Sequence, residues 1–202
     1  MVPDGIWAFL LGWLLTLPTM PMPAPDPPSP PEFPIVGRVS YARTHHDYPA
    51  TDVFARCGSK VVAPVDGTVL EVTRVDRWDP ATDRGADRGG KSFSIRGRDG
   101  VRYYGSHLSR VADRLRPGTT VRAGDLVGEV GSTGSAQGIA CHLHLGLSPV
   151  CRGTGDWRVR RGVVDPFPFL RSWQRGGARS PERDVKAWQR RHGCPGGASA
   201  GR

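Results

Sequence analysis

No stretch of this chain before residue 180 sustains a 3.6-residue apolar period, and that absence limits the fold more than any single motif does. In place of helical stripes there are short apolar runs cut by glycine turns, in a sequence holding 27 Gly and 19 Pro. Lys60–Val65 and Gly67–Val72 read as strands around the Asp66-Gly67 turn. Ser92–Arg96 and Val101–His107 read as a hairpin across Gly97-Arg98-Asp99-Gly100. Val121, Leu126–Val130 and His142–Leu147 supply further strands. Ser180–His192 can form one short helix carrying Trp188. The expected fold is therefore mostly β, a single antiparallel sheet or sandwich domain with a short C-terminal helix.

Composition divides the chain into four parts. Residues 1–24 contain Ile6–Leu17, a 12-residue apolar segment too short to span a membrane and suited to the core of an export signal. Pro21–Pro34 holds eight prolines in 14 residues, so 25–34 reads as an extended, poorly packed linker. The folded domain is expected over 35–170, and 171–202 reads as a basic tail. Residues 1–151 carry 16 basic and 15 acidic side chains, a net of +1. Residues 152–202 carry 12 and 4, a net of +8. A basic tail can hold an anionic polymer of the cell wall; no nucleic-acid partner and no stable membrane span are expected. Cys57, Cys141, Cys151 and Cys194 form an even set that suits an oxidising compartment. Four cysteines permit three complete pairings, and Cys141–Cys151, bracketing the strand His142–Leu147, is the first expectation.

Five of the six histidines fall in three short segments. Thr44-His45-His46-Asp47-Tyr48-Pro49-Ala50-Thr51-Asp52 adds carboxylates, Ser106-His107-Leu108 ends a predicted strand, and Cys141-His142-Leu143-His144 lies on another. Alternate residues of a strand share a face, so His142 and His144 project together. Such a constellation suits a hydrolytic metal site, in which three side chains hold the ion and a fourth position stays open to water. Trp78–Gly90, with Asp79, Asp83 and Asp87, is a polar insertion. It lacks the alternating carboxylates of an EF-hand loop and reads as a solvated surface loop.

Four features in this order resemble the lysostaphin-type (LytM-like) zinc metallopeptidases that cut peptidoglycan cross-bridges. They are the His…Asp segment, Ala63-Pro64-Val65-Asp66-Gly67-Thr68-Val69, Ser106-His107-Leu108, and Gly131-Ser132-Thr133-Gly134 leading to His142-Leu143-His144. The resemblance covers residues 36–150 and implies a duplicated hybrid motif-like β fold. It implies one Zn2+ per chain on His46, Asp52 and His144, with His142 as general base and His107 stabilising the oxyanion. The family spaces its first His and Asp by three residues; here five separate His46 from Asp52, which makes His45 a rival ligand. Tyr104 sits three residues ahead of His107, where the family has a tyrosine two ahead, and receives no role.

The expected function is that of an exported, monomeric zinc endopeptidase of the cell envelope acting on peptidoglycan. Two other functions compete: an inactive member of the same fold serving as a wall-bound activator or scaffold, and a polyanion-binding module acting through the basic tail. Ala63–Val69 with Val121–Asp125 also resembles lipoyl and biotinyl carrier domains, but neither Lys60 nor Lys91 sits at the hairpin tip those domains modify.

Overall fold

A computed structural model of the chain describes residues 27–43, 45–151 and 156–195. The export segment expected over 1–24 lies outside them. In chain order the strands are β1 Val39–Ser40, β2 Thr51–Ala55, β3 Lys60–Val62, β4 Gly67–Thr73 and β5 Ser92–Gly97. They continue as β6 Val101–Ser106, β7 Leu108–Val111, β8 Thr120–Val121, β9 Leu126–Val130 and β10 His142–Pro149. Three helices follow: α1 Trp157–Arg160, α2 Phe167–Trp173 and α3 Glu182–His192. A seven-stranded sheet runs β1-β2-β10-β6-β5-β4-β8 and a three-stranded sheet runs β3-β9-β7. The pairings within them are antiparallel. No described helix is long and apolar enough to cross a membrane.

The expected hairpin is present as β5 and β6, with Phe93 opposite Gly105 and Arg96 opposite Arg102. The two runs around Asp66 are both strands, but they do not pair with each other. β3 joins β9 in the small sheet, and β4 joins β5 and β8 in the large one. The Asp66 carboxylate holds that crossing by accepting the backbone N–H groups of Ser29 and Ala123 at 2.8 and 2.9 Å. The end of the proline stretch is tied down as well: Glu32 N–H donates to the Pro64 carbonyl and Val62 N–H to that of Pro34.

Between the sheets lies one apolar core built from Val53, Phe93, Ile95, Tyr103, Leu108, Val130, Leu143, Leu145 and Leu147. Phe169, Leu170, Trp173 and Val185 belong to the same cluster. The chain beyond residue 170, read from its charge as a tail, thus contributes two core residues and the helix α3. The expected helix Ser180–His192 is this α3. Helices α1 and α2 have no counterpart in the sequence reading. Four and seven residues are too few to display a period, and Pro168 near the start of α2 is tolerated there because the first N–H groups of a helix have no intrahelical partner.

The expected Cys141–Cys151 link is replaced by Cys57–Cys141 and Cys151–Cys194. The reason is geometric. Cys141 and Cys151 lie beyond opposite ends of β10, whose eight residues at about 3.3 Å each hold them much too far apart for a disulfide. Cys57, just past the end of β2, meets Cys141 instead, and Cys194, just past α3, meets Cys151.

Because Trp173 is 4% exposed within the core, Trp173→Ala is expected to lower unfolding stability by about 3–5 kcal/mol in urea titrations. Truncation after Leu170 removes Trp173, Val185 and the Cys151 partner together. The truncated chain is expected to show no cooperative unfolding transition, and a sharp one would contradict this packing.

Candidate metal centre

The site is assembled on three neighbouring strands. His144 of β10 lies opposite Asp52 of β2 on one side and Ser106 of β6 on the other. Strand alternation places Leu143 and Leu145 in the core while His142 and His144 face a cleft of about 470 Å³. That cleft is also lined by His45, His46, Tyr48, Tyr104, His107, Trp157 and Arg161. Gly85, Arg88 and Gly89 of the Trp78–Gly90 insertion and Ser135, Ala136 and Ile139 of the turn before β10 form part of its wall. The insertion's carboxylates serve it locally: Asp79 accepts the Ala81 N–H, Asp83 pairs with Arg88 and Asp87 with Arg84.

His45, Asp52 and His144 each offer a ligand atom, and those atoms all lie within 4.8 Å of one another. His144 Nδ1 is 2.9 Å from Asp52 Oδ1 and His45 Nε2 is 3.5 Å from Asp52 Oδ2. Ligands at zinc bond lengths in a tetrahedron stand roughly 3.3 Å apart, so the two observed spacings straddle that value. The group contains His45 where the sequence reading put His46 first. The His45 side chain is turned inward at 6% exposure, whereas His46 is exposed, with its ring 5.0 Å from that of His45. Spacing along the chain could not decide between adjacent histidines; the bend through Pro49 that brings the segment to β2 does.

His144, His142 and His107 are each oriented by a hydrogen bond to a backbone carbonyl, whereas the buried Nδ1 of His45 has no partner among the described residues. His144 Nε2 donates to the Arg161 carbonyl at 2.8 Å, which leaves Nδ1 towards Asp52. A carbonyl holding the far nitrogen in this way is the usual support of a metal-ligating imidazole. The close approach of that carbonyl requires glycine at position 146, where a Cβ would overlap Arg161 O. His142 Nδ1 donates to the Ala140 carbonyl and His107 Nδ1 to that of Thr133, both at 2.8 Å. In the neutral ring each therefore carries its lone pair on Nε2. His142 Nε2 lies 4.0 Å from Asp52 Oδ1, and the His107 ring centre is 4.9 Å from that of His142.

His107 occupies the step from β6 in one sheet to β7 in the other, and its φ of 66° is in the left-handed region. That conformation costs a non-glycine residue about 1–2 kcal/mol. Hydrogen bonds offset it: His107 N–H donates to the Gly89 carbonyl in addition to the ring's bond to Thr133. Thr133 is fixed in turn by Asp76, which accepts the N–H of Gly134 and the side-chain amide of Gln137.

The protonation states suit a cation. Burial raises the Asp52 pKa, but the His144 hydrogen bond and the charges of His144, His45 and His142 outweigh it and bring the group to about 2. Burial, followed by the charges of His144 and His142, lowers His107 to about 3. Burial and His144 lower His45 as well. Tyr48 is pushed up to about 12, chiefly by burial and against the Arg161 charge.

The pattern of peptidase family M23 matches residues 46–154, more than half of the chain. The chain belongs to peptidase family M23. The match opens at His46 and so leaves the choice between His45 and His46 to geometry. This M23 chain is 31% identical over 130 residues to the L-Ala–D-Glu endopeptidase of Bacillus subtilis, covering 62% of itself and 35% of that relative, about a third of its length. Its fold is similar to the catalytic domain of lysostaphin, an antimicrobial peptidase of Staphylococcus simulans. The TM-score is 0.51 and the identity 25%, over 66% of this chain and 93% of that one. A LytM of Ruminococcus gnavus gives a TM-score of 0.56 at 25% identity, over 75% and 63% of the two chains. The mostly antiparallel β fold read from the sequence is the M23 catalytic fold.

Sequence reasoning missed Tyr48, Trp157 and Arg161 as cleft residues, and it left Tyr104 unassigned. Trp157 and Arg161 lie beyond the motifs, on α1 and just after it, and only the tertiary fold brings them to the cleft. Tyr104 is buried, with the Arg160 guanidinium 5.3 Å from its ring centre.

The depressed His107 pKa fixes a sign for stability. The unfolded histidine gains a proton near 6.5 and the folded one near 3, so stability is full above 6.5 and falls as the pH drops towards 3. Between pH 8 and pH 5 the metal-free protein is expected to lose about 2 kcal/mol through this group. His107→Asn, a residue that tolerates positive φ, should flatten that slope in denaturant titrations. Asp52, with its pKa lowered, keeps its own contribution until the pH falls below about 4.

Proposed function

We propose that this M23 protein is an exported zinc endopeptidase that hydrolyses peptide bonds in the stems or cross-links of bacterial peptidoglycan. The observation that carries the reading is the His45–Asp52–His144 group, facing a cleft that also holds His107 and His142. The donor set of two imidazoles and one carboxylate, with an open side towards the cleft, is that of a hydrolytic zinc site. His45, Asp52 and His144 would hold the ion. Zinc bound there supplies Lewis acidity, polarising a carbonyl and bringing the pKa of water from 15.7 towards about 7.

The remaining work falls to the chain's own side chains. His142, with Nδ1–H committed to Ala140, uses the Nε2 lone pair to take the proton of the attacking water and returns it to the leaving amine. His107, with its Nδ1–H committed to Thr133, presents an Nε2 lone pair too, so in this tautomer it would accept a hydrogen bond from the attacking water and help orient it, not donate to the oxyanion. Burial keeps His107 neutral at rest. The cleft walls from the insertion and the turn before β10 would flank an extended peptide.

The Bacillus relative, an L-Ala–D-Glu endopeptidase, and lysostaphin, an antimicrobial peptidase, support a peptide substrate. Export is supported by the apolar segment Ile6–Leu17 and by cysteines that are all paired as disulfides. We take the protein to act as a monomer, its basic surface drawing it to anionic polymers of the wall.

Purified protein incubated with zinc and cross-linked peptidoglycan is expected to release new peptide ends, read by mass spectrometry of the muropeptides, and to carry one zinc. His45→Ala and Asp52→Asn should lose the zinc, whereas His46→Ala should keep it. His142→Ala should keep the metal and lose about 10²–10⁴ in kcat. One zinc bound with no bond cleaved would overturn the peptidase reading, and zinc lost from His46→Ala alone would restore His46 as the ligand.

A further inference from the structure

Three consecutive or neighbouring cationic groups reach the cleft, and their surroundings differ. Arg88 pairs with Asp83. Arg160 donates to Glu71 at 3.1 Å, with Tyr104 beneath its guanidinium. Arg161 pairs with no carboxylate among the described residues. Its guanidinium carbon lies 3.8 Å from the Tyr48 ring centre and 5.6 Å from that of Trp157, and its Nε is buried with no hydrogen-bond partner. The Tyr48 ring beneath that guanidinium is 5.8 Å from the ring of His144, and Arg161 lines the same cleft, so the unmatched cation stands beside the metal group.

A buried donor without an acceptor costs about 1–3 kcal/mol. Aromatic faces hold the guanidinium in one plane, and its fork of N–H groups matches a carboxylate. The chain supplies every other cleft arginine with an acid and leaves this one to be completed from outside.

We propose that Arg161 is the cleft's carboxylate anchor, selecting peptides that carry a free carboxylate on a residue beside the scissile bond. The inference rests on the peptidase reading for its consequence in catalysis, but the recognition itself requires no metal. An arginine that merely packs over Tyr48 would treat a peptide acid and its amide alike.

The test uses a stem peptide, L-Ala-γ-D-Glu-L-Lys, with its glutamate α-carboxylate free, and the same peptide as the α-amide. Binding to the metal-free full chain is measured by calorimetry, and hydrolysis with the zinc-loaded protein. The acid is expected to bind about tenfold to a hundredfold more tightly than the amide. In Arg161→Gln that ratio should fall to about one. Arg161→Lys keeps the charge without the fork and should fall between, which preserves the test if the Gln variant folds poorly. Arg158→Gln removes an exposed charge from α1 outside the cleft lining and should leave the ratio intact. Equal binding of acid and amide, no binding of either, or an unchanged ratio in both Arg161 variants overturns the proposal. Selective binding of the acid with neither peptide hydrolysed would count against the peptidase reading and leave the anchor standing.

Discussion

Strand β10 is the element on which the rest of the molecule depends, because its two faces carry different obligations. One face places Leu143, Leu145 and Leu147 in the core, each with no exposed surface. The other presents His142 and His144 to the cleft. Burying a leucine contributes about 1.5–3 kcal/mol, so three of them fix the register firmly. A slip of one residue against β2 or β6 would send the histidines inward and the leucines to water. The site thus inherits its precision from apolar packing that takes no part in chemistry. The disulfides act on the same strand from outside, since Cys141 precedes it, Cys151 follows it, and each is tied to a different part of the chain.

Around this strand the electrostatics oppose what burial alone would produce. A half-buried carboxylate ordinarily shifts towards the neutral acid, yet Asp52 stays ionised because imidazoles surround it. His107 and His45, held by burial and by the charge of neighbouring histidines, resist protonation. An anionic carboxylate beside a neutral His45 ring is the protonation state that a metal requires of these two ligands. The tautomers agree: three backbone carbonyls, from Ala140, Thr133 and Arg161, each take one N–H and fix which nitrogen faces the cleft. A cation held there would find Asp52 and His45 already free of protons, which is preorganisation in the sense that matters for affinity.

What the sequence made legible follows from period. Strand alternation exposes itself over five or six residues, so the hairpin of β5 and β6, the shared face of His142 and His144 and the β class could all be read directly. Contacts that depend on where a loop turns could not. His45 and His46 are chemically identical neighbours, and only the path through Tyr48-Pro49-Ala50 decides which one enters. Cys141 and Cys151 are close in sequence yet separated by an extended strand. Arg161 reaches the cleft because α1 folds back across β10, an arrangement that leaves no spacing rule behind.

The same difficulty explains why charge misled the reading of the C-terminal region. A net of +8 after residue 151 can be counted at sight, whereas Phe169, Leu170, Trp173 and Val185 are too scattered to announce a packed face. In the fold these residues anchor the region, and Arg102 binds it further by pairing with Asp156 at 2.8 Å and donating to the Cys151 carbonyl. Arg158 and Arg160 are then carried on α1, and Arg160 and Arg161 enter the cleft wall. The basic region after residue 151 is therefore not separable from the M23 domain, because part of the charge that reads in sequence as a tail is built into the wall of the histidine cleft.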